Sequence, residues 1–135
     1  KEQWYADYRE NGGFPLMTGF WVSGIRTKNF CMNCPVQGPA FHVLLWCLIE
    51  LVREIREREM KSLVIGEIHD CILGDVILEE RHLYLRLIKK IMTKRVRRAW
   101  DWIVTPLDVE VEVARRSWAE KEKWVERNGE WGPER

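Results

Sequence analysis

Two short runs rich in β-branched residues constrain the fold of this chain most. Residues 62–68 and 71–78 are separated only by His69 and Asp70. Two such runs around a two-residue polar break are typical of a β-hairpin, although His-Asp is not a favoured pair for the tight turn. A turn made from residues that it does not favour indicates that another constraint selected them.

The segments around this hairpin predict an α+β fold. Apolar residues at helical spacing over 38–61 predict one long helix, buried at its start and solvated at its end. Residues 79–102 return to helical spacing and predict a second helix, and the strict alternation over 107–113 predicts a strand. Residues 14–34 are expected to be irregular. This order predicts helices covering one face of an antiparallel sheet.

The second predicted helix is strongly basic. Between residues 81 and 98 it carries eight Lys and Arg residues and no acid. Two roles stay open for these charges: contact with phosphate groups, or balance of the acids in residues 108–122.

Length and charge restrict the class of protein. At 135 residues the chain fits one domain or part of a larger one. A net charge of +1 excludes a uniformly basic protein that coats nucleic acid. The longest apolar run, residues 39–49, is too short to cross a bilayer, and the N-terminus lacks the apolar stretch of a signal peptide. We therefore expect a soluble, cytoplasmic protein with no membrane partner.

The four cysteines favour structural roles. Cys47 and Cys71 lie in apolar surroundings and are expected to be buried. Cys31 and Cys34 form a single CxxC pair, for which a zinc site would need two more ligands, and only His42 is near. A redox role would need a thioredoxin-like βαβ pattern, which does not surround this pair.

Asp70 has two interpretations from its position alone. A carboxylate held at a rigid hairpin turn can bind a hard cation through oxygen. An Asp at a turn more often caps its own backbone, and periodicity alone favours that use. Glu67 is close in sequence, but strand alternation places it on the opposite face from Asp70.

Four short motifs in order resemble the late fingers and C-terminal palm of the family A DNA polymerases, the DNA polymerase I family. Residues 33–40 (Asn-Cys-Pro-Val-Gln-Gly-Pro-Ala), followed by the long helix and then Ile-His-Asp at 68–70, are similar to the segment that opens a palm helix and to the hairpin after it. Residues 12–19 resemble the late fingers, and residues 105–113 with Trp118 resemble the closing strand and final Trp. The resemblance implies that residues 1–34 are the end of a fingers-like segment, 35–122 a partial palm domain and 123–135 a polar C-terminal tail.

The resemblance also implies a set of site residues. Asp70 matches one of the palm aspartates that hold two catalytic Mg²⁺ ions, shared with a carboxylate that this chain lacks, and His69 matches the position that supports the primer terminus. These two residues are the predicted catalytic pair. Asn33 and Gln37 match residues that touch the primer–template. The predicted DNA-binding set is Asn33, Gln37, Arg26 and Lys28.

Three departures from the family pattern accompany these matches. Cys71 stands where the family usually has Glu, Glu67 where it commonly has Gln, and His42 where Asp is usual. The departures fit a divergent lineage, for example a viral or split polymerase. The resemblance implies a C-terminal fragment or split subunit of a template-directed DNA polymerase, which adds dNTPs to a primer 3′ end only when joined to the rest of the enzyme. The alternative is a non-catalytic remnant that binds DNA or protein.

Overall fold

A computed structural model describes residues 2–134 and confirms the mixed α+β class. The chain divides between Trp46 and Cys47 into two compact units. The predicted boundary between a fingers-like and a palm-like segment, at residues 34 and 35, instead falls inside a helix. The assignment of these segments to fingers and palm stays a prediction.

The first unit begins with a helix and contains a hairpin that was not predicted. Helix α1 (Glu2–Asn11) ends at Gly12, whose φ of +69° suits glycine. Strands β1 (Gly13–Pro15) and β2 (Trp21–Ser23) then pair antiparallel. The expectation of irregular structure over residues 14–34 was wrong here, since strands of three residues are too short to show an alternating pattern. The core of this unit consists of Phe14, Leu16, Val22 and Cys31.

The long helix α2 (Lys28–Glu57) is confirmed, but it begins ten residues before the predicted start at Gly38. The Thr27 hydroxyl accepts a hydrogen bond from the backbone N–H of Phe30 over 3.2 Å, as a helix N-cap does. Pro35 and Pro39 lie within the helix, and each removes one helical hydrogen bond. These prolines broke the helical pattern in the sequence without ending the helix.

By length and composition, α2 is the one helix among residues 2–134 that could cross a membrane. Only 22% of its most apolar 18-residue window is buried. The core helix of a soluble protein or a signal sequence meets the same criterion, so this finding alone does not assign α2 to a membrane.

The second unit contains the predicted hairpin and basic helix. Strands β3 (Leu63–Ile68) and β4 (Cys71–Asp75) pair antiparallel, with a bulge at Ile65. Helix α3 (Arg81–Lys90) continues through a π-helical turn (Ile91–Arg95) into α4 (Val96–Ala99). Cys47 is buried as expected, whereas Cys71 is exposed, because it lies at the first position of β4 beside the turn.

The C-terminal region forms a three-stranded sheet in place of the predicted polar tail. Strands β5 (Val111–Val113), β6 (Glu122–Arg127) and β7 (Glu130–Pro133) pair in that order, so residues 107–110 lie outside the strand predicted over 107–113. Trp124 and Trp131 are buried. Their indole rings lie under the charged groups of Arg81 and Lys89 from α3, at 5.4 Å in each case. These strands had no clear signal in the sequence, because charged and turn-forming residues surround the two tryptophans.

Candidate active site and nucleic-acid interface

The hairpin turn consists of His69 and Asp70 alone. Ile68 pairs with Cys71, so no other residue separates the two strands. His69 has a φ of +57°, in the left-handed region. Histidine is one of the few residue types other than glycine that is enriched in this region. Both turn residues are exposed, and the turn therefore presents an imidazole and a carboxylate to solvent.

The Asp70 carboxylate does not cap its own turn. Within residues 2–134, the group that donates a hydrogen bond to it is the Cys71 thiol, with Sγ 3.8 Å from Oδ1. No described cation forms an ion pair with it. Burial, followed by the charge of Asp70 and the hydrogen bond to it, raises the pKa of the Cys71 thiol, which therefore stays protonated as the donor at neutral pH. The capping interpretation, favoured by the sequence alone, has no supporting contact.

The described residues do not by themselves fit a magnesium ion. Mg²⁺ prefers several oxygen ligands in near-octahedral geometry. Asp70 offers the correct ligand atom, but residues 2–134 contain no group of three or more His, Cys, Asp or Glu side chains that could hold a metal. Any ion at Asp70 would need carboxylates from outside this part of the chain.

The first three turns of α2 line a shallow open cavity of about 400 Å³. Its lining includes Asn33 and Gln37, which are separated by four residues and therefore lie on one helix face. Both are exposed, and no described group bonds to their amides. The remaining lining residues are Asn29, Phe30, Cys34 and Gly38. The structure thus brings two of the predicted DNA-binding residues together.

Arg26 lies at the edge of this cavity. Its guanidinium carbon is 4.8 Å from the centre of the Phe30 ring, and its Nε donates to the Ser23 carbonyl over 3.0 Å. The Tyr8 hydroxyl accepts a hydrogen bond from the Arg26 backbone N–H and donates to the Gly24 carbonyl. These contacts fix the loop before α2 and hold a positive charge against an aromatic face.

Lys28 differs from the other predicted DNA contacts because it has a partner. Its Nζ lies 3.3 Å from the Glu2 carboxylate, and both side chains are at least half exposed. An ion pair that is this exposed contributes little free energy. Lys28 can therefore exchange its partner for a phosphate at small cost.

The predicted site residues are divided between the two units. Arg26, Lys28, Asn33 and Gln37 belong to the first, and His69 and Asp70 to the second. Of the residues considered for a zinc site, Cys31 is a fully buried part of the apolar cluster, and Nδ1 of His42 lies 2.7 Å from the Thr18 hydroxyl.

Comparison with known proteins relates most of the chain to bacterial DNA polymerase I. It is 33% identical over 101 residues, 75% of this chain, to the DNA polymerase I of Lactococcus lactis subsp. lactis. It is 34% identical over 77 residues to that of L. lactis subsp. cremoris and 29% identical over 84 residues to that of Caldicellulosiruptor bescii. The chain therefore contains a DNA polymerase I-like region.

This likeness concerns a small part of the relatives. The chain spans about a tenth of the length of the curated relatives that it matches, 9–11% of each. No family model matches the chain. No solved structure matches it either.

The sequence interpretation missed two polar contacts that shape the site. Glu80 binds the start of the hairpin through Lys61 and Ser62, and Arg26 stacks on Phe30. The first contact spans 18 residues and leaves no local signal. The second follows from the early start of α2, which Thr27 at the N-cap position could have indicated.

Proposed function

We propose that this chain forms part of the palm of a template-directed DNA polymerase with a role in DNA replication. Asp70 is the metal-binding carboxylate, and His69 lies beside the primer terminus. The observation that carries this proposal is the environment of Asp70: an exposed carboxylate at a two-residue turn, without a backbone hydrogen bond or a cationic partner among the described residues. A charge in that position is available to a divalent ion. The similarity to DNA polymerase I supports this assignment.

The face of α2 supports a role for Asn33 and Gln37 at the primer–template. Side-chain amides can donate to the purine N3 and pyrimidine O2 acceptors of the minor groove, which all Watson–Crick base pairs share. Contact with such acceptors holds a duplex without reading its sequence, as template-directed synthesis requires. Arg26, stacked on Phe30 beside them, and Lys28 supply positive charge for the adjacent backbone.

The outer surface of the β3–β4 hairpin supports a need for the rest of the polymerase. Leu63, Ile65 and Ile68 of β3 are at least half exposed. The sheet has only two strands, so each has a free hydrogen-bonding edge among the described residues. A further strand from the remaining part of the polymerase would cover this edge and could bring the carboxylates that Asp70 lacks.

A complementation experiment tests the proposed function. The full chain is mixed with a Lactococcus lactis DNA polymerase I from which the segment matching this chain has been removed, and extension of a labelled primer by dNTPs is measured with Mg²⁺. We expect extension from the mixture and none from either component alone. Extension by the isolated chain, or none from a mixture in which the two proteins bind each other, would contradict the proposal.

The alternative is a non-catalytic remnant that binds DNA. Two observations favour it: Cys71 beside Asp70, where the family usually has Glu, and the lack of an acidic cluster among residues 2–134. A remnant would bind primer–template through Asn33 and Gln37 and would not support extension in any mixture. The same experiment therefore separates the two functions.

A further inference from the structure

Half of the eight cations in the basic helical region, residues 81–98, have a partner within the described structure. Two lie over the buried tryptophans, one pairs with buried Glu54 and one donates to backbone carbonyls. These four are Arg81 over Trp124, Lys89 over Trp131 and paired with Glu126, Arg95 with Glu54, and Arg97 with Ile103 and Val104.

The other four cations are exposed and have no partner among residues 2–134. They are Arg86, Lys90, Lys94 and Arg98, hereafter the basic stripe. The acids of residues 108–122 do not neutralise it, because Glu112 pairs with Lys121 and the others form no ion pair with the stripe. For these four cations the described ion pairs therefore show no charge balance with these acids, one of the two roles that the sequence left open. Among the other cations of the region, Lys89 does feel the charge of Asp108.

The π-helical turn narrows the angular spread of the basic stripe around the helix. A step of four residues in an α-helix overshoots one 3.6-residue turn by about 40°, so three such steps would rotate the last cation by about 120°. The turn Ile91–Arg95 has wider i→i+5 hydrogen bonding, so a four-residue step inside it falls short of a full turn and offsets part of that drift. The four charges therefore stay closer to a straight line than a regular helix would allow.

The length of the basic stripe suits a nucleic-acid backbone. Twelve residues of helix rise about 18 Å. One strand of duplex DNA carries a phosphate about every 3.4 Å along its axis, so about five phosphates lie within this length. A row of four unpaired cations along this length can contact several of them.

We propose that the basic stripe binds the phosphate backbone of duplex DNA. The choice of DNA as the polyanion rests on the proposed function, whereas the availability of the charges rests on the structure alone. Binding is independent of sequence and steeply dependent on salt, because each neutralised phosphate releases counterions.

The test uses a blunt 20-base-pair duplex, which has no recessed primer terminus, and measures its affinity for the full chain by fluorescence anisotropy at several salt concentrations. In the stripe variant, Arg86, Lys90, Lys94 and Arg98 are all replaced by Gln, which keeps helix propensity. We expect an affinity about tenfold to a thousandfold lower at 0.1 M salt, and a slope of log affinity against log salt that is less steep by about two to four.

A matched control carries the same change in charge at four exposed arginines outside the stripe. These are Arg56, Arg115, Arg116 and Arg127, each replaced by Gln. We expect this control to change affinity less than about threefold. A second control, with Arg86→Lys and Arg98→Lys, keeps the charge and should keep the wild-type slope. If the stripe variant does not fold, the pairs 86/90 and 94/98 are neutralised separately, and each should reduce the slope by about half as much.

Three outcomes would overturn the proposal. Equal losses in the stripe variant and its matched control would mean that only net charge matters. An unchanged salt slope in the stripe variant would mean that no phosphate contact was removed. Stripe-dependent binding of phosphatidylserine vesicles, without binding of the duplex, would assign the surface to lipid. Failure of the complementation experiment leaves this measurement unaffected, since it needs neither extension nor a primer terminus.

Discussion

Glu80 accepts two hydrogen bonds from Ser62, one from the backbone N–H over 2.8 Å and one from the hydroxyl over 2.6 Å. The other carboxylate oxygen of Glu80 accepts from the Lys61 N–H, and the Ser62 hydroxyl accepts from the N–H of Ile77. Ser62 is fully buried. One acidic side chain therefore connects the residues before β3 to the start of α3 and holds the base of the hairpin whose tip carries Asp70.

We expect Glu80→Gln to destabilise the protein at neutral pH and to reduce its acid sensitivity. Hydrogen bonds from the Ser62 hydroxyl and the Lys61 N–H hold the pKa of Glu80 below its usual value of 4.5. A lowered folded-state pKa gives stability that is present above 4.5 and is lost as the pH falls through the folded pKa. Urea unfolding midpoints at neutral and acidic pH measure both effects. The control is Glu79→Gln, since Glu79 is exposed and has no described partner.

Gly74→Ala should disturb the packing of the hairpin on α3. A Cβ at this position would overlap the hydroxyl oxygen of buried Tyr84. Burial raises the pKa of Tyr84 to about 12, so the hydroxyl is neutral throughout the physiological range. We expect a loss of about 1–3 kcal/mol in the free energy of unfolding. If the double variant Gly74→Ala/Tyr84→Phe regains part of the lost free energy of unfolding, the clash with the Tyr84 hydroxyl is the cause.

Gly66→Ala is the matched control for this experiment. Gly66 lies in β3 of the same hairpin, and no atom lies within 4 Å of a Cβ placed there. We expect it to change the free energy of unfolding by less than about 0.5 kcal/mol. Equal losses at positions 66 and 74 would contradict the proposed contact with Tyr84.

The hairpin was predictable from the sequence because its signal is local. Its two runs of β-branched residues and its two-residue break lie within 17 residues of each other. The C-terminal hairpin also had a local signal: Asn128 and Gly129 both have positive φ, at 53° and 83°, as this pair favours in tight turns. It was overlooked because β6 consists largely of charged residues and β7 contains Gly132 and Pro133.

The environment of the site could not be predicted in this way. Whether Asp70 caps its backbone depends on the direction of one carboxylate, which strand periodicity does not determine. Which cations of the basic region are unpaired depends on contacts with residues up to 37 positions away, as in Lys89 with Glu126. The resemblance to the polymerase family suggested the candidate site residues, whereas the structure showed which described groups contact them.

We expect Gln37→Ala to weaken the binding of a recessed primer–template by about fivefold to twentyfold, the loss of one good hydrogen bond to a duplex. Gln37 is exposed in the α2 cavity and has no described partner, so its removal should not change the thermal stability. Gln3→Ala, at the only other glutamine, is the control. Fluorescence anisotropy of a labelled primer–template measures the affinity of both variants. Equal affinity in the two variants would exclude Gln37 from the interface.

His69 should be replaced by Asn rather than by Ala when its role is tested. At a φ of +57° alanine is strained, whereas asparagine tolerates the left-handed region and keeps the turn. In the complementation mixture we expect His69→Asn to slow extension about tenfold to a hundredfold, since a loosely held primer terminus reduces reactive alignment. Unchanged primer–template affinity would separate this effect from weaker binding. Extension at the wild-type rate would exclude His69 from the site.

Asp70→Asn is the substitution that separates the catalytic and remnant functions. Asn keeps the shape of the side chain and removes the negative charge that a divalent ion needs. Because no described backbone group caps the Asp70 carboxylate, the change should leave the free energy of unfolding nearly unaltered. In the complementation mixture we expect extension to fall by about a thousandfold or more, equivalent to about 4 kcal/mol in activation free energy. Asp101→Asn, at another exposed aspartate of the same unit, should extend primers normally. An Asp70→Asn mixture that extends primers at the wild-type rate would end the catalytic proposal.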